Sequence, residues 1–398
     1  MGTKLLVWNI QNFTINKISL ANANPHVPLQ HPNNINVQKL LYILNNVNLT
    51  DPDIFVVIEV ISGRGERGSP VSGRGAQGLV TLLGHLRAMS PHWCLVPALK
   101  LVNKINVTEI DGENEDEDDA PLLQLINDGQ YTEGIGVFFR QDRVSFQGPY
   151  IWPNTPDSPL KVAVPAGGGA VAGPYLPGWQ NCLPAGNYFA GQYTYFYPNG
   201  SPVEFPATTS RNPFLTRFVE LGGAHRIINL ASVHFPPNLA AAETALARLA
   251  GYLFDKVIAN NEVQVIAGDY NIDFGQEFCY ARSALQDLYR FTPVLRYGMP
   301  PSMLKRRSIA TPTFYQPKLL LDNVAIRFGA QAVVPGQRWA IMNRIYDPDI
   351  PTLMENSLAQ ILALPPNQQD EVFRRPLNFG RLGPVPGTSD HLAVFVEF

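Results

Sequence analysis

Residues 263 to 273 read VQVIAGDYNID, an apolar run that stops abruptly in Gly268, Asp269, Tyr270 and Asn271. A run of that length bounded by polar breakers predicts a buried strand, and in an α/β scaffold the end of such a strand is where chemistry is presented. On an extended backbone residues i and i+2 share a face, so Asp269 can handle a proton while Asn271 donates to an oxyanion. The plainer account of the same residues is a polar turn after a strand.

A second polar cluster gives the first its weight. In GTSDHLAVFVEF, residues 387 to 398, Ser389, Asp390 and His391 stand directly before another apolar strand. A carboxylate beside an imidazole can orient the ring and favour its charged form.

Working outward, strands are expected over residues 4–9, 53–59, 93–97, 134–140, 226–234 and 319–328. Helices are expected over 37–47, 79–89 and 239–258, with shorter ones near 353–362 and 368–374. This alternation of helices with strands buried on both faces defines an α/β protein. No repeat period is present.

The 398 residues allow one large domain, two domains, or one domain carrying insertions, and 45% hydrophobic content allows a substantial core. Cys94, Cys182 and Cys279 are odd in number and widely spaced, without the pairing of a zinc site, and read as thiols in a reducing compartment. The first residues lack the apolar core and cleavage site of a signal peptide, and no stretch is long and apolar enough to span a bilayer. A cytoplasmic protein, or one exported without a cleavable signal, is expected. A net charge of −3 does not announce nucleic-acid binding, although local basic patches and a bound divalent cation can act against such a background.

The acidic run at 111–119 lacks the spaced ligands and glycine of a calcium loop and reads as a solvated loop. Residues 148–213 are dense in Pro, Gly and aromatics and read as an ordered insertion. The Arg-Gly segment 62–78, with Arg64, Arg67 and Arg74, reads equally as a mobile polar loop or as a contact for phosphate backbones. The basic run Lys305, Arg306 and Arg307 reads first as a solvated face. No glycine-rich segment is followed by GK[ST], so a nucleotide-cradling P-loop is not expected.

The polar residues collected at strand edges are Asn9, Glu59, Glu133, His234, Asp269, Asn271, Asp322, Asn323, Asp390 and His391. The order and settings of WNIQNF around Asn9, VIEV around Glu59, SVHFP around His234, GDYNID around Asp269, LDNV around Asp322 and TSDH around His391 resemble the endonuclease/exonuclease/phosphatase superfamily. Each tag is weak alone; together they are specific and span nearly the whole chain. Within that superfamily the deoxyribonuclease I-like branch is the nearest in look. YTEGIGVFFR resembles its segment carrying a Glu that partners a catalytic His, here Glu133, and SRNPFLTRF its segment with a phosphate-contacting Arg, here Arg211.

The resemblance implies a four-layer α/β/β/α sandwich formed by residues 1–398 as one domain, with 148–213 inserted in it. It also implies metal-dependent hydrolysis of phosphate esters. Glu59 would hold Mg²⁺, with Mn²⁺ or Ca²⁺ as substitutes, and Asn9 and Asp390 would lie beside it. Asp269 would orient or deprotonate the attacking water, and Asn271, His234, His391 and Arg211 would contact the phosphate. Glu133 and Asp390 would raise the pKa of a neighbouring His, and Asp322 would orient an imidazole or approach the metal.

DNA is the expected substrate and endonucleolytic cleavage the expected reaction. The alternative is a phosphatase or phosphodiesterase acting on a lipid or small phosphate ester, sphingomyelinase- or inositol-phosphatase-like, although the inositol branch carries a WCDRIL-like motif where this chain has LLLDNVAIR. A third reading is a silent binding module, against which every core motif position keeps a competent side chain. The insertion would set substrate choice or offer a surface to a protein inhibitor.

Overall fold

The computed structural model describes residues 2–27, 31–63, 71–96, 98, 132–148, 161–163, 194–196, 211, 213–250, 258–295, 297, 302, 304–306, 315–317, 319–333, 338–341, 388–389 and 391–398. Two six-stranded sheets form its centre. In the first, β1 (Lys4–Phe13) runs parallel to β2 (Ile54–Ser62), and β3 (Trp93–Val96) and β4 (Thr132–Arg140) continue beyond β2. The second contains β5 (Val144–Gly148), β8 (Phe214–Glu220), β9 (Ile227–His234) and β10 (Glu262–Asp269), the last two again parallel. Between them in sequence, β6 (Lys161–Ala163) and β7 (Thr194–Phe196) pair within the 148–213 stretch. Short β11 (Thr292–Pro293) edges the second sheet beside β14 (Asp322–Phe328), while β12 (Leu304–Arg306) and β13 (Tyr315–Pro317) pair separately. β15 (Arg338–Ile341) and β16 (Val394–Glu397) complete the first sheet.

The sheet orders are β15-β16-β1-β2-β4-β3 and β11-β14-β10-β9-β8-β5. Each has a parallel pair at its heart, flanked by antiparallel strands. A parallel pair needs a crossover, and helices supply both. Helix α1 (Ile15–Ile18) and helix α2 (Ile35–Thr50) lie between β1 and β2 in sequence, α3 (Gly73–Met89) follows β2, and α4 (Leu239–Arg248) lies between β9 and β10. Asn238 caps α4 by accepting from the Ala241 N–H at 3.1 Å.

Period-2 alternation sorts the side chains into layers. From β1, Leu5 and Val7 join Val56, Ile58, Leu230 and Val265 in the core between the sheets. Leu6, Trp8 and Ile10 point the other way, onto Leu40, Ile43 and Leu44 of α2 and Leu79, Leu82 and Leu83 of α3. Ala242, Ala245 and Leu246 of α4 join the apolar cluster of the second sheet. The architecture is the four-layer α/β sandwich expected from the sequence.

Several expectations are corrected. Helix α3 begins at Gly73, so the Arg-Gly segment is helical in its last residues, with Arg74 exposed in the first turn; Arg64 and Arg67 lie outside the described residues. β14 begins at Asp322, and the residues before it serve the neighbouring loop instead, Leu321 and Leu320 accepting from Tyr270 N and Phe274 N at 2.9 and 3.0 Å. Strands β5, β8 and β15 were not anticipated, being short and lacking a long periodic run. The acidic run, Cys182, Arg307, the end of the 239–258 helix and the helices near 353–362 and 368–374 lie outside the described residues. Cys94 and Cys279 are buried. Among the described residues no helix is long and apolar enough to cross a membrane.

Candidate active site

The carboxyl ends of both parallel pairs meet at one edge of the sandwich. Asn9 comes from β1, Glu59 from β2, His234 from the last position of β9 and Asp269 from the last position of β10, where it pairs with His234 across the ladder and with Asp322 on the other side. Asn9 Nδ2 bridges the two sheets, donating to Glu59 Oε1 at 2.8 Å and Asp269 Oδ2 at 3.0 Å.

Alternation alone would turn Glu59 away from this edge. Val57 faces the α2 and α3 layer and Ile58 the inter-sheet core, yet Val60 again faces the helices. The ladder to β4 shows why: Val57 pairs with Gly136 and Val60 with Gly134, so β2 carries one extra residue. That bulge holds Glu59 at φ 61° and swings its carboxylate toward Asn9, with Oε2 accepting from Asn12 N at 3.0 Å.

Two carboxylate–imidazole pairs flank Asp269. His234 Nδ1 is hydrogen-bonded to Glu133, and its Nε2 lies 3.6 Å from Glu59 Oε1 and 3.7 Å from Asp269 Oδ2. His391 Nδ1 lies 2.8 Å from Asp322 Oδ2, and its Nε2 is 3.7 Å from Asp269 Oδ2. Both imidazoles therefore offer Nε2 to one carboxylate, each held from behind by another.

The remaining residues brace this arrangement. Arg211 donates to the Phe235 carbonyl at 3.1 Å and approaches Glu133 Oε2 at 3.5 Å. Asn271 is not on an extended backbone: it sits at φ 50°, its N–H donates to Asp269 Oδ1 at 2.8 Å and its Nδ2 to the Phe235 carbonyl at 2.6 Å. Asp269 and Asn271 thus meet through a side-chain-capped turn, not through strand alternation. Gly268 is obligatory, since at φ 150° an added Cβ would lie 2.0 Å from the Val233 carbonyl oxygen.

Every site residue expected from the sequence and described by the structure comes to this edge; Asp390 lies outside the described residues. Asn323 does not join them, because its amide is spent on both backbone groups of Leu295 at 3.0 and 2.9 Å. Sequence reasoning gave no role to two buried serines. Ser389 Oγ donates to the Asn9 carbonyl at 2.5 Å and accepts from His391 N at 3.0 Å; Ser302 Oγ contacts Asp322. Ser389 was signalled by its place in TSDH, whereas Ser302, twenty residues before its partner, carried no local signal.

Burial pushes the Glu59 carboxyl up, but the His234 charge and the Asn9 and Asn12 hydrogen bonds outweigh it and hold it below the ordinary range. Asp269 is lowered in the same way: burial raises it, and His391, His234 and the donors Asn271 and Asn9 prevail. Burial and Arg211 disfavour charge on His234, yet Glu133 and Glu59 win and raise its pKa. For Asp322, burial dominates over His391 and leaves the pKa raised, the neighbouring Asp269 charge adding to it.

The donor set fits a hard divalent cation. Glu59, His234 and Asp269 place one ligand atom each within 4.8 Å of one another, as do Asp269, Asp322 and His391. Asn9 Oδ1, fully buried, has no hydrogen-bond partner among the described residues, which leaves an oxygen donor for such an ion. Glu59 and Asn9 would hold the ion, with Asp269 beside it.

Fold and site together define a two-sheet α/β protein with a buried carboxylate–imidazole cluster at the carboxyl ends of its two parallel strand pairs. No family model matches the chain, and no curated protein matches it. Among solved structures it is similar to zebrafish TDP2 complexed with a single-strand DNA product, at 11% identity over 99% of this chain and 97% of that one, TM-score 0.43. It is similar to the Bacteroides thetaiotaomicron mannosyl-6-phosphatase Bt3783 at 11% identity, covering 99% and 98%, TM-score 0.43. A Leptotrichia buccalis endonuclease/exonuclease/phosphatase family protein stands at 11% identity, 99% and 98% coverage and TM-score 0.43.

Proposed function

We propose that the chain is a divalent-metal-dependent phosphodiesterase that hydrolyses DNA internally. The observation that carries this reading is the convergence of two carboxylate-backed imidazoles on the single buried carboxylate of Asp269, each at 3.7 Å. A phosphodiester is anionic and repels hydroxide, so its hydrolysis needs charge neutralisation, an aligned water and stabilisation of the leaving oxygen.

Asp269, held ionised, orients the attacking water and accepts its proton. His234, favoured in its charged form by Glu133, places a positive Nε2–H against a phosphate oxygen. His391, oriented at Nδ1 by Asp322, offers its Nε2 from the other side. Asn271 has a second amide N–H beyond the one given to Phe235, and Arg211 adds positive charge at the rim. A cation bound by Glu59 and Asn9 would supply Lewis-acid stabilisation of the charge that develops on phosphate oxygens.

The test is a substrate panel of supercoiled plasmid, RNA, sphingomyelin and inositol phosphates, with and without Mg²⁺. Mg²⁺-dependent nicking of plasmid is expected, falling by at least about a hundredfold in Asp269→Ala and His391→Ala, the scale of loss for general acid–base groups. Nicking that survives both substitutions removes the reading. Hydrolysis of the lipid or small ester with plasmid left intact replaces DNA by that substrate class.

A further inference from the structure

We propose that Ser302 is a positioning residue for His391, acting through Asp322; the role rests on the phosphodiesterase reading above. Ser302 is fully buried and is not part of either sheet. Its Oγ accepts from the Asp322 N–H at 3.0 Å and lies 2.7 Å from Asp322 Oδ2. A hydroxyl has one proton, and an oxygen already accepting from Asp322 N directs that proton to the carboxylate. Asp322 Oδ2 therefore receives Ser302 Oγ–H from one side and His391 Nδ1 from the other. Asp322 Oδ1, also buried, has no hydrogen-bond partner among the described residues. Among the described residues the torsion of this carboxylate is thus fixed through Oδ2, by Ser302 and His391.

The Ser302 backbone holds the other member of the pair. Its carbonyl accepts from Leu392 N at 2.7 Å, next to His391 in the chain, and its N–H donates to the Leu319 carbonyl at 2.9 Å. One residue therefore ties together the approach to β14, the Asp322 carboxylate and the backbone that carries His391. With Oδ2 fixed as acceptor, His391 carries its proton on Nδ1 and presents Nε2 toward Asp269. Removing the hydroxyl leaves both backbone bonds intact and frees the carboxylate to rotate.

The experiment compares the full-length wild type with Ser302→Ala, Ser302→Cys and Ser302→Thr. Cys nearly keeps the volume but is a weak donor, and Thr keeps the hydroxyl. Imidazole ¹⁵N spectra should show His391 as a single Nδ1–H form in the wild type and the Thr variant, and as mixed tautomers in Ala and Cys. With bis(p-nitrophenyl) phosphate and Mg²⁺, kcat should fall about 10- to 100-fold in Ala and Cys at unchanged KM, and recover in Thr. Adding Ser302→Ala to Asp322→Asn should cost nothing further. A Ser302→Ala or Ser302→Cys protein with wild-type His391 tautomer and kcat overturns the proposal, as does a Thr variant no better than Ala. Should Ala not fold, Cys decides. A wild type that hydrolyses no phosphate ester sinks the phosphodiesterase reading instead, and the tautomer spectra then judge Ser302 alone.

Discussion

Glu59 concentrates the conflict between stability and function at a single residue. A non-glycine residue in the left-handed region costs on the order of 1–2 kcal/mol, and Glu59 sits at φ 61°. That backbone cost is removed by Glu59→Gly, which adopts that φ freely. The expected outcome is a thermal midpoint equal to or above the wild type, together with loss of phosphodiesterase activity and weakened Mn²⁺ binding by calorimetry. A Gly variant that melts markedly lower would show that the carboxylate stabilises the bulge on balance. The residue types of the site were legible in the sequence because strand-end Asp, Glu, Asn and His stand out against apolar runs. Their aim was not. The turn at Asn271 is the polar-turn reading of GDYN, capped locally by Asp269, whereas the bulge that turns Glu59 inward leaves no trace in residue order, since it is set by pairing with β4, distant in sequence.

At the scale of elements, α3 shows tertiary packing overriding propensity. GRGAQG reads as a loop because glycine costs about 1 kcal/mol relative to alanine in a helix. The structure makes it the helix start, and the glycines are there for close approach: a Cβ on Gly75 would fall 1.8 Å from the Ile61 carbonyl oxygen, and one on Gly78 would fall 2.8 Å from Ile15 N of α1. Gly84, in the same helix, meets nothing within 4 Å and faces solvent. Alanine should therefore have opposite effects along one helix. Gly84→Ala is expected to stabilise by about 0.5–1 kcal/mol, its helix-propensity gain. Gly75→Ala is expected to destabilise by about 1–3 kcal/mol, since the clash is with backbone that cannot swing away. Urea denaturation of both variants checks the pair, and equal shifts of one sign would refute the packing account. The long apolar strands were legible for the complementary reason: β1, β2, β9 and β10 are buried on both faces, so their composition alone announces them.

Across the whole molecule, the two sheets are fastened at the end opposite the site. Arg226, 1% exposed at the head of β9, donates to Glu220 Oε2 at 2.9 Å and Oε1 at 2.6 Å, to the Phe398 carbonyl at 2.8 Å and to the Ala332 carbonyl at 3.0 Å. Glu220 also accepts from the Thr3 hydroxyl, so one ion pair of the second sheet grips the start of β1 and the end of β16, neighbouring strands of the first. Arg226→Ala would strand a buried carboxylate and is expected to cost about 3–5 kcal/mol. The pH dependence follows from Glu220. Burial raises its pKa, but Arg226 and Thr3 prevail and set it below 4.5 in the folded state. A carboxyl depressed on folding contributes its full stability above the unfolded value and loses it as pH falls through the folded one. Stability should therefore decline on acidification below about pH 4.5, and Glu220→Gln should flatten that decline. Because this clamp lies at the far end of the strands from Asp269 and His391, Arg226→Ala assayed well below its melting temperature should keep the wild-type kcat. A large loss of kcat in a variant still folded by circular dichroism would mean that the clamp sets the angle between the sheets, and with it the spacing of Asn9 from Asp269.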